Sequence, residues 1–218
     1  YSGNFRVMAE VNQFDSLRVM CGIEPENFSW VLGKGECFQA PEALLVYSAE
    51  GLGGMSRSYH ELYRKHMIRS PYKDKKRPIL INNWEGTYFD FNEEKLVEIA
   101  AKAAELGVEL FVLDDGWFKN RNDDKAGLGD YDVNKKKLPY GLSGLAKKIN
   151  ELGMEFGLWF EPESVNTDSD LYRAHPDWAL TDGFEPLTGR NQLLLDLTKP
   201  EVRDYIVEKV GATLDSAP

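Results

Sequence analysis

Three short segments of this 218-residue chain each set an indole beside carboxylates: Asn83-Trp84-Glu85, Asp114-Asp115-Gly116-Trp117 and Trp159-Phe160-Glu161-Pro162-Glu163. A carboxylate offers two acceptor oxygens to neighbouring hydroxyls, and an aromatic face offers an apolar platform for C–H groups. Repeated around one rim, that pairing suits a polyhydroxylated ring. Arg190, in Thr188-Gly189-Arg190-Asn191-Gln192, adds a donor that can reach a hydroxyl or pair with a rim carboxylate. Cleaving a glycosidic bond takes two carboxyl groups that flank it. Asp114 and Asp115 are adjacent, so their side chains diverge, and their spacing points to binding rather than to the chemical step. Glu161 is the best internal candidate for a catalytic acid.

Each motif also has a plainer reading. Asp-Asp-Gly after a strand can be turn chemistry alone, with glycine supplying positive φ. Trp84 and Trp159 can be core aromatics, Glu161 and Glu163 can be solvated, and Arg190 can sit on a polar surface loop. Asp196 and Asp204 read as a strand-end turn acid and an exposed helix acid. His60, His66 and His175 have no metal-ligand spacing, so no metal and no cofactor is expected. The sugar reading rests on all three motifs falling at strand ends together.

The elements that must carry them are legible. Apolar runs at Pro78–Ile81, Val108–Leu113 and Phe156–Phe160 read as strands, and each ends at one of the motifs. Amphipathic helices are expected at 93–106 and 142–152, closed by Gly107 and Gly153. A polar loop of about 25 residues lies between Trp117 and the second helix, long enough to cover a site or to be passive. A further strand at 192–197 precedes a helix at 200–214. Strand alternating with helix is the pattern of parallel β/α packing. The twice-repeated Leu-Gly helix ending favours a regular barrel over an irregular α+β fold. A doubly wound sheet is the alternative, but no strand is followed by a phosphate-binding glycine fingerprint. In a β/α barrel the C-terminal ends of the strands form the ligand-binding rim.

Upstream, Phe5–Val11, the segment around Leu17–Met20, Ser29–Leu32 and Leu44–Tyr47 read as short strands of an antiparallel sandwich. A helix over 55–68 follows, ended by Ser70-Pro71, and Lys73–Arg77 is a solvated basic linker. The expected domains are therefore residues 1–52, a linking helix and linker over 53–77, and a barrel portion over 78–218.

A net charge of −10 argues against nucleic acid and against an anionic membrane surface. No apolar run approaches the roughly 20 residues that span a bilayer, and residues 1–5 lack the pattern of a signal peptide. Cys21 and Cys37 read as free thiols of a cytoplasmic protein.

The motifs in their order resemble the family 36 α-galactosidases of bacterial type. The resemblance is carried by Ile81–Phe89, Phe111–Phe118, Gly157–Glu163, Gly189–Leu193, Asp170–Trp178 and Tyr1-Ser2-Gly3-Asn4-Phe5, and it covers essentially the whole chain. It implies an α/β fold, a partial (β/α)8 TIM barrel preceded by the end of an N-terminal β-supersandwich. It also implies retaining hydrolysis of terminal α-galactosyl groups from raffinose-type oligosaccharides and melibiose. By the same resemblance Asp114 and Asp115 bind galactose hydroxyls, Trp84 and Trp159 wall the sugar subsite, and Arg190 makes a polar contact there. Family analogy further implies a homo-oligomer. The family's nucleophile belongs to a Lys-Trp-Asp motif, which residues 1–218 do not contain. These residues are therefore expected to hold galactose without the catalytic pair. A non-catalytic carbohydrate-binding fragment and a raffinose-synthase-like galactosyltransferase are the alternatives.

Overall fold

The computed structural model of the chain describes residues 3–26, 28–181, 183–184, 186 and 188–217. Tyr1 and Ser2 of the N-terminal motif, and Pro218, lie outside the described residues. The chain divides into two compact units, Tyr1–Lys75 and Lys76–Pro218.

In the first unit, β1 (Phe5–Val11) and β2 (Leu17–Ile23) form an antiparallel pair, with Phe5 opposite Ile23 and Val11 opposite Leu17. Asn12 shapes the connection: its Oδ1 accepts the N–H groups of Phe14 and Ser16 at 2.9 and 3.1 Å. Residues 29–32 and 44–47 are not strands, contrary to the alternating pattern. A strand needs a neighbour for its backbone groups, and none is provided among the described residues; Trp30 instead packs its ring on Phe38. The helix α1 (Gly51–Leu62) begins earlier than its periodicity suggests and runs on into a π-helical turn at Tyr63–Met67. Ser70 then starts a 3-10 turn at Pro71 by accepting the Tyr72 N–H.

The second unit alternates strands and helices. After β3 (Leu80–Asn82) comes the short α2 (Trp84–Thr87), followed by α3 (Glu93–Glu105), β4 (Leu110–Leu113), α4 (Gly141–Glu151) and β5 (Glu155–Leu158). The three strands are parallel in the order β3-β4-β5, in a partial barrel-like topology. Local chemistry sets the helix limits. Asn92 caps α3 by accepting the Lys95 N–H at 2.9 Å, and Glu93 and Glu94 in the first turn face the positive end of the helix dipole. Gly107 and Gly153 take φ of +83° and +80°, the left-handed conformation that stops a helix and that a side chain resists.

One sheet face packs on α3 and α4. Phe111 and Leu113 of β4 are fully buried against Leu96, Ala100, Leu145 and Ile149, with Ile81, Phe156 and Leu158 beside them. Each such fully buried side chain contributes on the order of 1.5–3 kcal/mol relative to exposure. The sequence alternation within β4 therefore assigns Phe111 and Leu113 to the helix layer and Leu110 and Val112 to the other face.

Beyond β5 the chain builds a smaller layer from β6 (Ser164–Val165), α5 (Asp170–Ala174), β7 (Thr188–Gly189), β8 (Gln192–Leu194) and α6 (Pro200–Asp215). Here the strand expected at 192–197 is shorter and lies in a separate antiparallel sheet, β6-β8-β7, rather than continuing the parallel one. Its core is Val165, Leu171, Trp178, Leu193, Leu195 and Val202. Among the described residues no helix is long and apolar enough to cross a membrane.

Candidate functional site

The register of the parallel sheet sets the rim. Asn82 is level with Val112, and Leu113 with Leu158, so Asp114 and Trp159 each follow directly on a paired residue, while Trp84 begins α2 two residues past the end of β3. Hydrogen bonds lock that arrangement. Asn83 is buried, and its Oδ1 accepts the Asp114 N–H at 2.9 Å while its Nδ2 donates to Thr87 Oγ1 at 2.9 Å. On the other side, the Trp159 N–H donates to the Leu113 carbonyl at 2.9 Å, and Trp117 Nε1 donates to the Trp159 carbonyl at 3.0 Å.

The indoles of Trp84 and Trp159 are half-buried. Trp84 is wedged edge-on between Tyr88 and Phe89, with ring centroids 5.2 and 5.1 Å away. The third indole of the rim motifs behaves differently. Trp117 is fully buried, stacked near Tyr131 and edge-on to Phe118 and Phe160, and belongs to the core.

The paired acids also divide. Asp114 is half-buried at the end of β4, and its Oδ1 accepts the Asp115 N–H at 2.7 Å. Burial raises its carboxyl above the ordinary 3.8; the bond from the Asp115 N–H lowers it in part, and the Asp115 charge raises it again. Asp115 is only 5% exposed, and Arg121 is not exposed at all. Arg121 grips Asp115 with a fork, Nε to Oδ1 at 2.8 Å and Nη2 to Oδ2 at 2.7 Å, which fixes the carboxylate's rotamer.

Arg121 opens the loop between β4 and α4, and that loop is not the passive solvated segment its polarity allows. Leu128, Asp130 and Tyr131 are buried with it. Lys137 reaches back from the loop's far end and donates to the carbonyls of Phe89, Gly116 and Arg121 at 2.9, 2.8 and 3.3 Å. One ammonium thus ties the segment after β3 to the segment after β4. Asp130 accepts the N–H groups of Asp170 and Leu171 at 3.0 and 2.9 Å, anchoring the start of α5 to the same loop.

Arg190 lies in the tight turn between β7 and β8. Both turn residues, Arg190 and Asn191, have positive φ, +52° and +61°, the backbone of a type I′ turn. Its side chain is exposed beside an open depression lined by Glu161, Glu163, Thr188 and Gln192. Glu161 is half-buried there, with its Oε1 accepting from Gln192 Nε2 at 2.6 Å and its own N–H donating to the Tyr131 hydroxyl at 3.2 Å. Asn166 joins this turn to the rest by donating to the Asn191 carbonyl at 2.8 Å and accepting from Arg121 Nη1 at 3.0 Å.

Of the five residues singled out for binding, Trp84, Asp114 and Trp159 follow the three parallel strands, Asp115 is buried beside Asp114, and Arg190 is connected to Asp115 through Asn191, Asn166 and Arg121. Arg121, Lys137 and Asn166 escaped sequence reasoning. Each lies in a polar stretch of irregular chain, within 120–125, 134–137 and 166–170, and no local spacing marks it as the buried member. Among the described residues no three His, Cys, Asp or Glu side chains converge in a metal-holding cluster. The arrangement offers acceptors and aromatic edges on one rim.

Comparison with known proteins supplies the context. Residues 37–218 match the family Melibiase, and residues 1–33 match the Glycosyl hydrolase family 36 N-terminal domain. The chain is 59% identical over 219 residues to alpha-galactosidase AgaA of Geobacillus stearothermophilus, covering 100% of this chain and 30% of that protein. It is 50% identical to the bifunctional alpha-galactosidase/sucrose kinase AgaSK of Mediterraneibacter gnavus, over 99% of this chain and 23% of that protein. A crystal structure of a substituted AgaA from Geobacillus stearothermophilus in complex with stachyose superposes with a TM-score of 0.97 at 58% identity, covering 100% of this chain and 30% of that one. The chain thus spans about 30% or less of the length of these relatives.

Proposed function

Because the chain belongs to the Melibiase family, with a glycoside hydrolase family 36 N-terminal region, we propose that it forms the galactose-holding side of a retaining α-galactosidase site. The substrates are oligosaccharides with terminal α-galactosyl groups, such as raffinose and melibiose. In this reading Asp114 accepts hydrogen bonds from galactose hydroxyls, with Trp84 and Trp159 walling the sugar on either side. Asp115, 5% exposed and with its rotamer held by Arg121, is the second acceptor of galactose hydroxyls, and Arg190 donates from the turn between β7 and β8. The observation that carries the reading is Asp114 itself, a half-buried carboxylate at the end of β4, with the half-buried indoles Trp84 and Trp159 following the neighbouring strands β3 and β5.

The chemistry follows from what such a rim can do. A bond-cleaving pair in a retaining enzyme stands about 5–5.5 Å apart across the glycosidic bond. Adjacent Asp114 and Asp115, one at the rim and one locked behind it, do not span that geometry, and their part is to hold and orient the ring. Orientation is itself catalytic capital, since a well-placed reactant removes several kcal/mol of entropic barrier, about 7–11 in the best cases. The nucleophile and the acid/base are assigned to residues outside these 218.

The same reading treats residues 1–52 as the end of a β-supersandwich and 53–77 as a linking helix and linker to the barrel portion. It also makes the protein a homo-oligomer of the cytoplasm, a location supported by the exposed free thiols of Cys21 and Cys37. The decisive experiment is calorimetric titration with galactose, alongside hydrolysis of p-nitrophenyl α-galactoside, on the protein at its full natural length. Asp114→Ala is expected to weaken galactose binding by about tenfold or more, the loss of a hydrogen bond to a charged acceptor. Undiminished binding by that variant would sink the assignment.

A further inference from the structure

Asn166 is fully buried, and each hydrogen-bonding position of its amide is used. Its Oδ1 accepts from Arg121 Nη1 and from the Leu128 N–H, both at 3.0 Å. Its Nδ2 donates to the carbonyls of Asp124 and Asn191 at 3.1 and 2.8 Å. The surroundings dictate this orientation, because a flipped amide would set its NH2 against two donors and its oxygen against two carbonyls. Such a fully satisfied buried amide is rigid, and freeing any partner leaves a polar group without water to replace the bond.

The partners fall into two groups. Arg121 is the residue that grips Asp115, and the Asn191 carbonyl belongs to the two-residue turn that carries Arg190. From this geometry we infer that Asn166 is a positioning residue: a single amide sets the Arg190 turn and the Asp115–Arg121 pair in one frame. Galactoside specificity then depends on a side chain that touches no sugar. The inference rests on the reading of Asp115 and Arg190 as galactoside contacts, and deepens it.

Aspartate at this position separates the two arms, because it keeps the shape of asparagine. Asn166→Asp retains an oxygen for Arg121 and Leu128. It loses both donors and turns an oxygen toward the Asp124 and Asn191 carbonyls. The Asp115 arm is kept and the Arg190 arm is released.

The test compares wild type, Asn166→Asp, Arg190→Ala and the double variant, each at full natural length. Two readouts are needed: hydrogen exchange, and the kinetics of p-nitrophenyl α-galactoside hydrolysis. In Asn166→Asp, exchange at the amides of residues 189–192 is expected to quicken about tenfold while those of α3 and β4 keep their rates. KM is expected to rise about tenfold with kcat changed by less than about threefold, the signature of lost ground-state binding. On an Arg190→Ala background the same substitution is expected to add less than about twofold, because the two act as one unit. Unchanged exchange at the turn, or KM effects that multiply in full, would overturn the inference. If neither Arg190→Ala nor Asn166→Asp alters KM while Asn166→Asp still loosens the turn, the positioning role stands and the sugar-contact reading of Arg190 fails.

Discussion

Replacing Arg121 by methionine removes the guanidinium and keeps most of the volume of its stem. In the protein the side chains of Arg121 and Asp115 are 0% and 6% exposed, so water cannot take the place of the lost donors. The variant forfeits the fork to Asp115, at 2.8 and 2.7 Å, and the 3.0 Å bond to Asn166. Asp115 is left as a buried charge without a partner, and breaking a buried pair from one side costs about 3–5 kcal/mol. That is a large part of the roughly 5–15 kcal/mol that holds a domain together. Neutralising both partners, Asp115→Asn with Arg121→Met, leaves no unpaired charge and is expected to cost only about 1–2 kcal/mol. Equilibrium urea unfolding reads the difference. At a slope of about 2 kcal/mol per molar, the midpoint is expected to fall by about 1.5–2.5 M in the single variant and by less than about 1 M in the double. A single variant within about 0.3 M of wild type, or a double variant as unstable as the single, refutes the reasoning that the pair is a buried unit.

Asp114 and Lys137 lead to two further expectations. Burial raises the Asp114 carboxyl, so its contribution to stability is full below the unfolded value of 3.8 and is lost as pH rises through the higher folded value. Acceptance of sugar hydroxyls runs in the opposite sense. Galactose affinity should fall on acidification at a pH above the ordinary carboxylate midpoint, and Asp114→Asn should bind weakly with a flat profile; an unchanged profile in calorimetric titration would contradict this. Lys137→Met leaves the Phe89, Gly116 and Arg121 carbonyls without their shared donor, at an expected cost of about 2–4 kcal/mol by urea unfolding. Lys137→Arg should not restore it, since a flat fork does not fit three carbonyls converging on one point; a stable arginine variant would count against that geometry.

What was legible in the sequence were the features with local causes. The three parallel strands and their helices follow from apolar runs and from the left-handed glycines at 107 and 153, each a matter of a few neighbouring residues. Residues 29–32 and 44–47 show the limit of that logic. Their composition suits strands, yet a strand also depends on a partner that composition does not specify, and here Val31 and Leu45 stay 90% and 91% exposed. The loop after Trp117 is open in the sequence between a site cover and a passive segment. Its polarity does not decide, because the partners that bury Arg121 and Asp130 are distant: Asn166 for the arginine and the Asp170 N–H for the aspartate.

The site divides along the same line. Trp84, Asp114 and Trp159 follow the ends of three consecutive parallel strands, and that much can be read from residue order. Which of two adjacent aspartates is free cannot. Asp114 and Asp115 are the same residue type one position apart, and their fates are decided by Asn83, thirty-one residues before Asp114, and by Arg121, six residues after Asp115. Arg121 is in turn held by Asn166, forty-five residues further on. A rim that orients a sugar must hold its acceptors to within a fraction of an ångström. In the site proposed, the acids are held by bonds between distant, individually unremarkable polar residues, which is why the acids were visible in the sequence and their support was not.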